Sequence, residues 1–599
     1  MDTSEKPKSI WNPAWPKPRA AVLRLLVIIL VLLPCEWAIF AGLVGDWKLN
    51  IADGTEESVR HLLEGAMVFC GAVSVVFLAS LLPLFGWLHR PFKWRNVRRV
   101  LVGLAVLVTV YALFCTEENI RGKHAWEKYR RQAEARGEPL DWKAFIPKPI
   151  PDDQNFAATP FIKSWFVRSN YGWQADYYEQ ARYHVAVPEP WGDMPPRKFL
   201  DLVAWSSAFD VVRAGKMTGR QKFASDKLDL ESRAKAAPQV LEGSKTNEAI
   251  FAELRAMSQR PLSRYPIDYN LEDPAEILLP HLNKVRGACF RLQLKACAEL
   301  AEGRGADALD DVKLILTLSD SLKEEPTLIS YLVRVACLQV AIQPIWEGLA
   351  EHAWSDAQLQ ELQARLQAYN LVAEIKWPFD AERAMGLAII EYVKKRGAGR
   401  LIEIIGPGQP TASDKNTADF LGGIVPSGWW RLEEVNYCRL FELETAGAYD
   451  GATRRVSPGR IQSNAQKLEQ AFAGRYPIDT ILVHHRLMST ILLPALAKIP
   501  IKAAIAQTAS DQALLACALE RYRLANGQFP DTLDALTPQF VSLLPHDVIT
   551  GNPYKYRRTS DGQFVLYSVG WNERDDGGIP GKTLFDEQEG DWVWQYPSK

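Results

Sequence analysis

Apolar residues crowd the start of this chain: three long runs fall within the first 116 residues, and positions 117–599 read as holding none of comparable length. The cleanest, Gly65 to Leu88, has 24 residues without a charge. At helical rise that exceeds the hydrocarbon core of a bilayer, about 30 Å, and predicts a spanning helix. Val100 to Cys115 is shorter, at 16 residues, but Arg98 and Arg99 at its start can snorkel to the interface, so another span is expected. The first run, Ala20 to Val44, contains Arg24, Pro34 and Glu36. Arg24 lies one turn in and can snorkel. Glu36 has two readings, a functional intramembrane acid or an interfacial acid beside the belt residue Trp37. The second is favoured, because Ala20 to Cys35 alone covers most of a bilayer at helical rise. No small-x-small cleavage site follows, so the run reads as a retained anchor rather than a signal peptide.

Basic residues in short loops set the orientation. Arg90, Lys93, Arg95, Arg98 and Arg99, between the second and third runs, face no acid, and Lys6, Lys8, Lys17 and Arg19 precede the first run. The loop between the first two runs carries Asp46, Asp53, Glu56, Glu57 and Glu64 against Lys48 and Arg60. A cytoplasmic N-terminus and three crossings therefore put residues 117–599 outside the cytoplasm. Arg121, Lys123, Lys128, Arg130, Arg131 and Arg136 bias the other way, but acids lie among them. The central basic loop has none.

Beyond the membrane segment (1–116), residues 117–150 read as a juxtamembrane stalk helix, with Trp126 and Tyr129 on one side, and a linker through Pro147, Pro149 and Pro151. Residues 151–500 read as a helical body. Val285, Cys289, Leu292, Ala296 and Leu300 recur at helical spacing; Gly303-Arg304-Gly305 breaks the pattern, and Leu309, Val312, Leu316 and Leu322 resume it. A helical hairpin is expected. Ser355 is a good N-cap for a helix bearing Leu359, Leu362 and Leu366. Ala298, Gly303, Ala308 and Leu309 resemble one turn of a tetratricopeptide repeat, but no 34-residue period follows, leaving an irregular helical bundle or solenoid. Arg264-Tyr265-Pro266-Ile267-Asp268 recurs unchanged at Arg475 to Asp479, and Ile277 to Lys284 is echoed by Ile491 to Lys498. Duplication of a helical unit and chance recurrence both explain the echo.

Composition trims the functional classes. The formal charge of -1, from 70 Lys and Arg against 71 Asp and Glu, argues against a nucleic-acid partner. Eight Cys are too few for a disulfide scaffold. Five of them lie beyond the membrane segment, an odd count that fits buried free thiols; Cys289 and Cys297 sit two helical turns apart and cannot join each other. No phosphate loop, His-Glu-x-x-His pair or Gly-x-Ser-x-Gly elbow is present in the sequence. His484-His485 reads as a capped or core pair, since adjacent helical residues diverge by about 100°. Of the 20 Trp, Trp11, Trp15, Trp37, Trp47, Trp87, Trp94 and Trp126 flank membrane runs as interfacial anchors.

Residues 501–599 change the picture again. Ala518 to Arg523 ends a helix that Asn526-Gly527-Gln528-Phe529-Pro530 stops. Gly551-Asn552-Pro553-Tyr554-Lys555-Tyr556 and Phe564 to Gly570 flank Asp561-Gly562 as a hairpin, and an acidic loop follows. Over about residues 505–578 this order resembles the C-terminal domain of type II secretion major pseudopilins, although Asp547-Val548-Ile549-Thr550-Gly551 lacks that family's aromatic. The resemblance implies a small α+β module and a calcium ion in the last loop, with Ser568, Asn572, Asp575 and Asp576 as ligands; oxygen donors in a Gly-bounded turn suit calcium. A solvated acidic turn is the alternative. The whole chain, including Pro151 to Phe156 and Asp591-Trp592-Val593-Trp594, also resembles large uncharacterised bacterial membrane-anchored proteins.

The expected protein is thus mainly α, with three N-terminal transmembrane helices, a helical body and a pseudopilin-like module. Its expected place is the bacterial inner membrane. Binding or scaffolding in the cell envelope is the favoured role, with the bilayer and envelope or secretion-system proteins as partners and no nucleic acid. A component of a secretion or pilus-like machine and an extracytoplasmic enzyme are the alternatives.

Overall fold

A computed structural model describes residues 94–167, 177–182, 184–185, 197–215, 223–224, 229–397, 399–400, 425–472, 485–493 and 496–597, with 415, 419, 422 and 423 between them. The first two apolar runs, the second Arg-Tyr-Pro-Ile-Asp phrase and His484 lie outside the described residues. Two compact units divide the chain, residues 1–118 and 119–599.

Helix α1, Trp94–Ala135, carries the third apolar run and the expected stalk as one continuous element. Within the first unit, Val100, Leu101, Val102, Leu104, Val106, Val108 and Leu113 are 45–65% exposed. Among the described residues, that apolar surface is left largely exposed. In the second unit the longer helices are α2 Leu202–Arg213, α3 Leu230–Ser244, α4 Pro280–Ala301, α5 Gly305–Asp320, α6 Leu328–Ala350, α7 Asp356–Gln367, α8 Lys376–Arg396, α9 Ser427–Thr445, α10 Pro458–Phe472 and α11 Lys498–Asn526. The stalk portion of α1 docks on α9. Tyr129 is buried and donates its hydroxyl to Glu442 Oε1 at 2.7 Å. Asn119 Oδ1 accepts from the Gly428 amide at 2.6 Å and from the Ser427 hydroxyl at 3.0 Å, satisfying one amide that the first turn of α9 leaves open. A Cβ on Gly122 would stand 2.2 Å from the Gly428 carbonyl oxygen, so glycine permits this approach of backbones.

The helical hairpin is α4 and α5, and the five stripe residues from Val285 to Leu300 are all buried. Gly303, at φ 76°, makes the break, a conformation that suits glycine. Ser355 caps α7 in a reciprocal box: its hydroxyl accepts from the Gln358 amide and its own amide donates to Gln358 Oε1, which satisfies two end groups at once. Helix α6 packs against α4, α5 and α11, and α11 also against α7. The body is an irregular helical bundle.

One expectation needs correction. Helix α6 is also long and apolar enough to cross a membrane, although the sequence beyond residue 117 was read as free of such runs; 78% of its apolar window is buried within the body. Arg334 and Glu347 on α6 are buried too, and each meets an opposite charge, Arg334 with Glu374 and Glu347 with Arg233. Two charged residues interrupt the run, which is why the pattern concealed it.

Phrases that stood apart in the sequence meet here. The Phe156 amide donates to the Leu262 carbonyl at 2.8 Å. Asn155 clamps Arg264, its Nδ2 donating to the Arg264 carbonyl and its Oδ1 accepting from the Arg264 amide, both at 2.9 Å. Next in line, Tyr265 stacks on His281 at 4.3 Å between ring centroids. His281 Nε2 lies 2.8 Å from Glu325 Oε1. A linker phrase, a turn phrase and a helix start thus form one buried joint.

Strands are few and short. The antiparallel sheet has the order β3 (Lys555–Arg558), β4 (Phe564–Ser568), β5 (Trp592–Trp594), after a two-residue hairpin of β1 (Tyr449–Asp450) and β2 (Arg455–Val456). Register pairs Tyr556 with Leu566 and Tyr567 with Val593. The hairpin turn expected at Asp561-Gly562 is present, with Gly562 at φ 80°.

Candidate functional site

The acidic loop leaves the sheet after Ser568 and returns to it at Trp592. Its ends are fixed by the register pairing of Ser568 with Trp592, and the Asp591 amide donates to the mid-loop Ile579 carbonyl at 2.8 Å. A Cβ on Gly590 would lie 2.2 Å from the Gly581 nitrogen. The two arms of the loop therefore run in direct backbone contact.

Of the four residues expected to hold calcium, Asn572 and Asp576 come together, with Asn572 Nδ2 donating to Asp576 Oδ2 at 3.1 Å. Asn572 Oδ1 also accepts from the Arg574 amide at 2.9 Å. Asp575 turns to the sheet, accepting from the Tyr567 hydroxyl at 3.1 Å and pairing with Lys555 at 3.1 Å. Hydrogen bonding to Lys555 and the Gly577 amide lowers its pKa. Ser568 is fully buried; its hydroxyl accepts from the Gly570 amide at 3.2 Å and bonds the Asp547 carboxyl. Loop and Ser568 hydroxyl are thus directed apart.

Asp591 was missed as a site residue. It is 1% exposed, and its two oxygens accept from the Asp576 amide at 3.2 Å and the Gly578 amide at 2.6 Å. Burial pushes its pKa up, and the neighbouring charges of Asp575 and Asp576 push the same way. The oxygens of Asn572, Asp576 and Asp591 are the groups that could face a hard cation, but among the described residues no three His, Cys, Asp or Glu side chains are gathered as a metal-holding group.

Beside this loop lies a groove of 1160 Å³, between the loop and the first turns of α10. Trp571, Glu573, Arg574, Lys582, Glu589 and Gln462 help to line it. Trp571 stacks on Trp592 at 6.4 Å, and Lys582 pairs with Glu589 at 2.9 Å. Glu573 stands at φ 58°, a left-handed conformation uncommon for a side-chain-bearing residue, and its carboxylate reaches toward Gly459 at the start of α10, where the helix dipole favours negative charge. Charges of both signs around an aromatic wall suit a polar partner surface better than an apolar ligand.

His485 is buried, with its ring 4.7 Å from that of Trp429 and its carbonyl accepting from Asn436 Nδ2 at 3.0 Å. No protein-family model, curated protein or solved structure matches the chain.

Proposed function

We propose that this chain is a membrane-anchored binding or scaffolding protein of the bacterial envelope, held in the inner membrane by its N-terminal helices. Its helical body presents the groove beside the terminal loop outside the cytoplasm. The observation that carries this reading is the exposed apolar surface of α1 from Val100 to Leu113 among the described residues. Such a surface is stable against hydrocarbon and costly against water. Protease added outside the inner membrane is expected to digest the chain beyond residue 117 while sparing the basic segment from Arg90 to Arg99, whose last three basic residues lie in the first turns of α1; a protected C-terminus would reverse the orientation. Pull-down from solubilised membranes identifies the partner, and co-purification with a secretion ATPase or platform protein would move the reading to a secretion-machine component.

A second reading, calcium at the terminal loop, draws support from the raised pKa of Asp591 beside Asp575 and Asp576. A divalent ion there would offset their mutual repulsion. Binding to the folded state alone raises stability with free ion over its dissociation constant, so the melting temperature of the solubilised chain is expected to rise with calcium. Asp575→Ala with Asp576→Ala should remove the rise. Identical melting with calcium and with chelator would leave a solvated turn.

A further inference from the structure

Strand β4 leaves the sheet through Gly570, at φ 73°, and the turn lays the Trp571 ring against that of Trp592 with 16° between the planes. Trp592 is a fixed backing. It is fully buried, its Nε1 donates to the Asp586 carbonyl at 3.0 Å, and Phe585 meets it edge-on at 5.5 Å. The half-buried Trp571 ring, stacked on that backing, forms part of the wall of the 1160 Å³ groove. Around it the groove collects side chains that end in planar polar groups: the amides of Gln462, Asn572 and Gln588, the Glu573 carboxylate and the Arg574 guanidinium. Among the described residues no hydrogen bond engages the Trp571 N–H or the side-chain amides of Gln462 and Gln588. The groove exceeds the ~300–1,000 Å³ of a small-molecule pocket, which suits a chain better than a single small molecule.

We infer that this groove binds a neutral glycan chain, which deepens the binding role proposed above and rests on it only in taking the groove as the binding face. A pyranose ring presents a face of C–H bonds, whose partial positive charge meets the negative face of an indole. The hydroxyls around its edge each donate and accept, and adjacent pairs of them match the forked ends of amides, carboxylates and guanidinium. Trp571 and the planar side chains around it supply both requirements. Charge narrows the class. Glu573, Asp576, Glu587 and Glu589 outnumber Arg574 and Lys582, and Lys582 is already held by Glu589 at 2.9 Å, so a polymer bearing carboxylates or phosphates meets repulsion. A peptide fits less well. The Asp591 amide on one loop arm already donates to the Ile579 carbonyl on the other, so an added strand finds that edge taken. Of the large aliphatic side chains in the lining, Ile461 and Ile501 are buried and Ile579 is exposed, too little apolar surface for an amphipathic helix.

Calorimetric titration of the full chain, solubilised in a detergent without a sugar headgroup, tests the site. The probes are hexasaccharides of β-linked N-acetylglucosamine and of β-linked glucose, with a galacturonate hexasaccharide as the anionic comparison. Saturable binding of at least one neutral chain is expected, with the galacturonate chain weaker or silent. Trp571→Ala should weaken binding about tenfold, and Trp571→Phe, which keeps a ring, should weaken it less. Trp571 also packs on Trp592, so a second variant guards against loss of the fold: Gln462→Ala with Gln588→Ala alters exposed side chains only and should weaken binding at an unchanged melting temperature. Silence from both neutral chains, equal binding of the galacturonate chain, or undiminished binding by a folded Trp571→Ala chain or by the double glutamine variant would overturn the proposal. Binding of an uncharged Ser- and Gln-rich peptide in place of the sugars would overturn it too and make the groove a peptide site. Protease topology and the pull-down are read separately: a chain that binds no sugar with its C-terminus outside leaves the anchored scaffold standing, and one that binds sugar with its C-terminus cytoplasmic leaves the glycan site standing without the envelope role.

Discussion

Replacing Arg233 with Met is expected to destabilise the helical body by about 3–5 kcal/mol, the usual cost of stranding one member of a buried ion pair. Arg233 is 1% exposed and Glu347 not at all. The guanidinium joins α3 to Glu347 on α6 and to Glu351 at 2.5 Å, while its face covers the Phe199 ring at 4.5 Å. Glu347 Oε1 also accepts from the Leu200 amide at 2.7 Å and from Gln343 Nε2 at 2.8 Å. Three chain segments converge on one carboxylate. Without the guanidinium that carboxylate stays buried after losing its opposite charge, which costs stability. The double variant Arg233→Met with Glu347→Gln should recover part of the loss, because a neutral amide keeps acceptors for Leu200 and carries no charge. Denaturant unfolding measures both. A single-variant loss below about 1 kcal/mol, the range of exposed pairs, would show that water reaches the site.

Arg233 also marks where sequence patterning stops informing. Charges at helical spacing read as solvated faces, and nothing local says that an Arg on α3 and a Glu more than a hundred residues later will be buried together. Apolar periodicity was a better guide: the stripe from Val285 to Leu300 and the cap at Ser355 depend on contacts within a turn or two, and both are present. The hairpin at Asp561-Gly562 is equally local. Strand β5 was not legible, because Trp592 to Trp594 joins the sheet across a loop with no regular structure, and non-local pairing leaves little trace in a short apolar stretch. Asp591 was hidden for the same reason. Its partners are backbone amides at the far side of that loop, and amides carry no sequence signal. Candidate ligands carried over from the pseudopilin resemblance included Ser568, which the strand turns into the core.

Stability is expected to fall as pH rises from 5.5 to 8. Several buried carboxyls are protonated more readily in the folded chain than in the unfolded one. Burial lifts Glu444 to about 7, with one oxygen taking a backbone hydrogen bond from Ala497 and Oε2 buried without a partner among the described residues. Glu299 rises to about 8, driven first by burial and then by the charge of Asp311, whose own oxygens are engaged by Arg255 and Lys295. Burial likewise lifts Glu433 and Glu434 to about 7. Between the ordinary carboxylate range and these values the folded state binds more protons than the unfolded state, so unfolding free energy decreases with pH. The contribution is fully present below about pH 4 and lost as pH passes through 7 to 8. Acids held low behave oppositely but outside this window: Glu138, hydrogen-bonded first by Arg136 and then by Arg383, is pulled down to about 2 and stays ionised throughout. The denaturation midpoint of the solubilised chain should therefore be lower at pH 8 than at pH 5.5, and Glu444→Gln should flatten the slope by removing one titrating group. A midpoint that holds level or climbs toward pH 8 would mean that these carboxyls are ionised in the folded protein, with water or rearranged cations reaching α9.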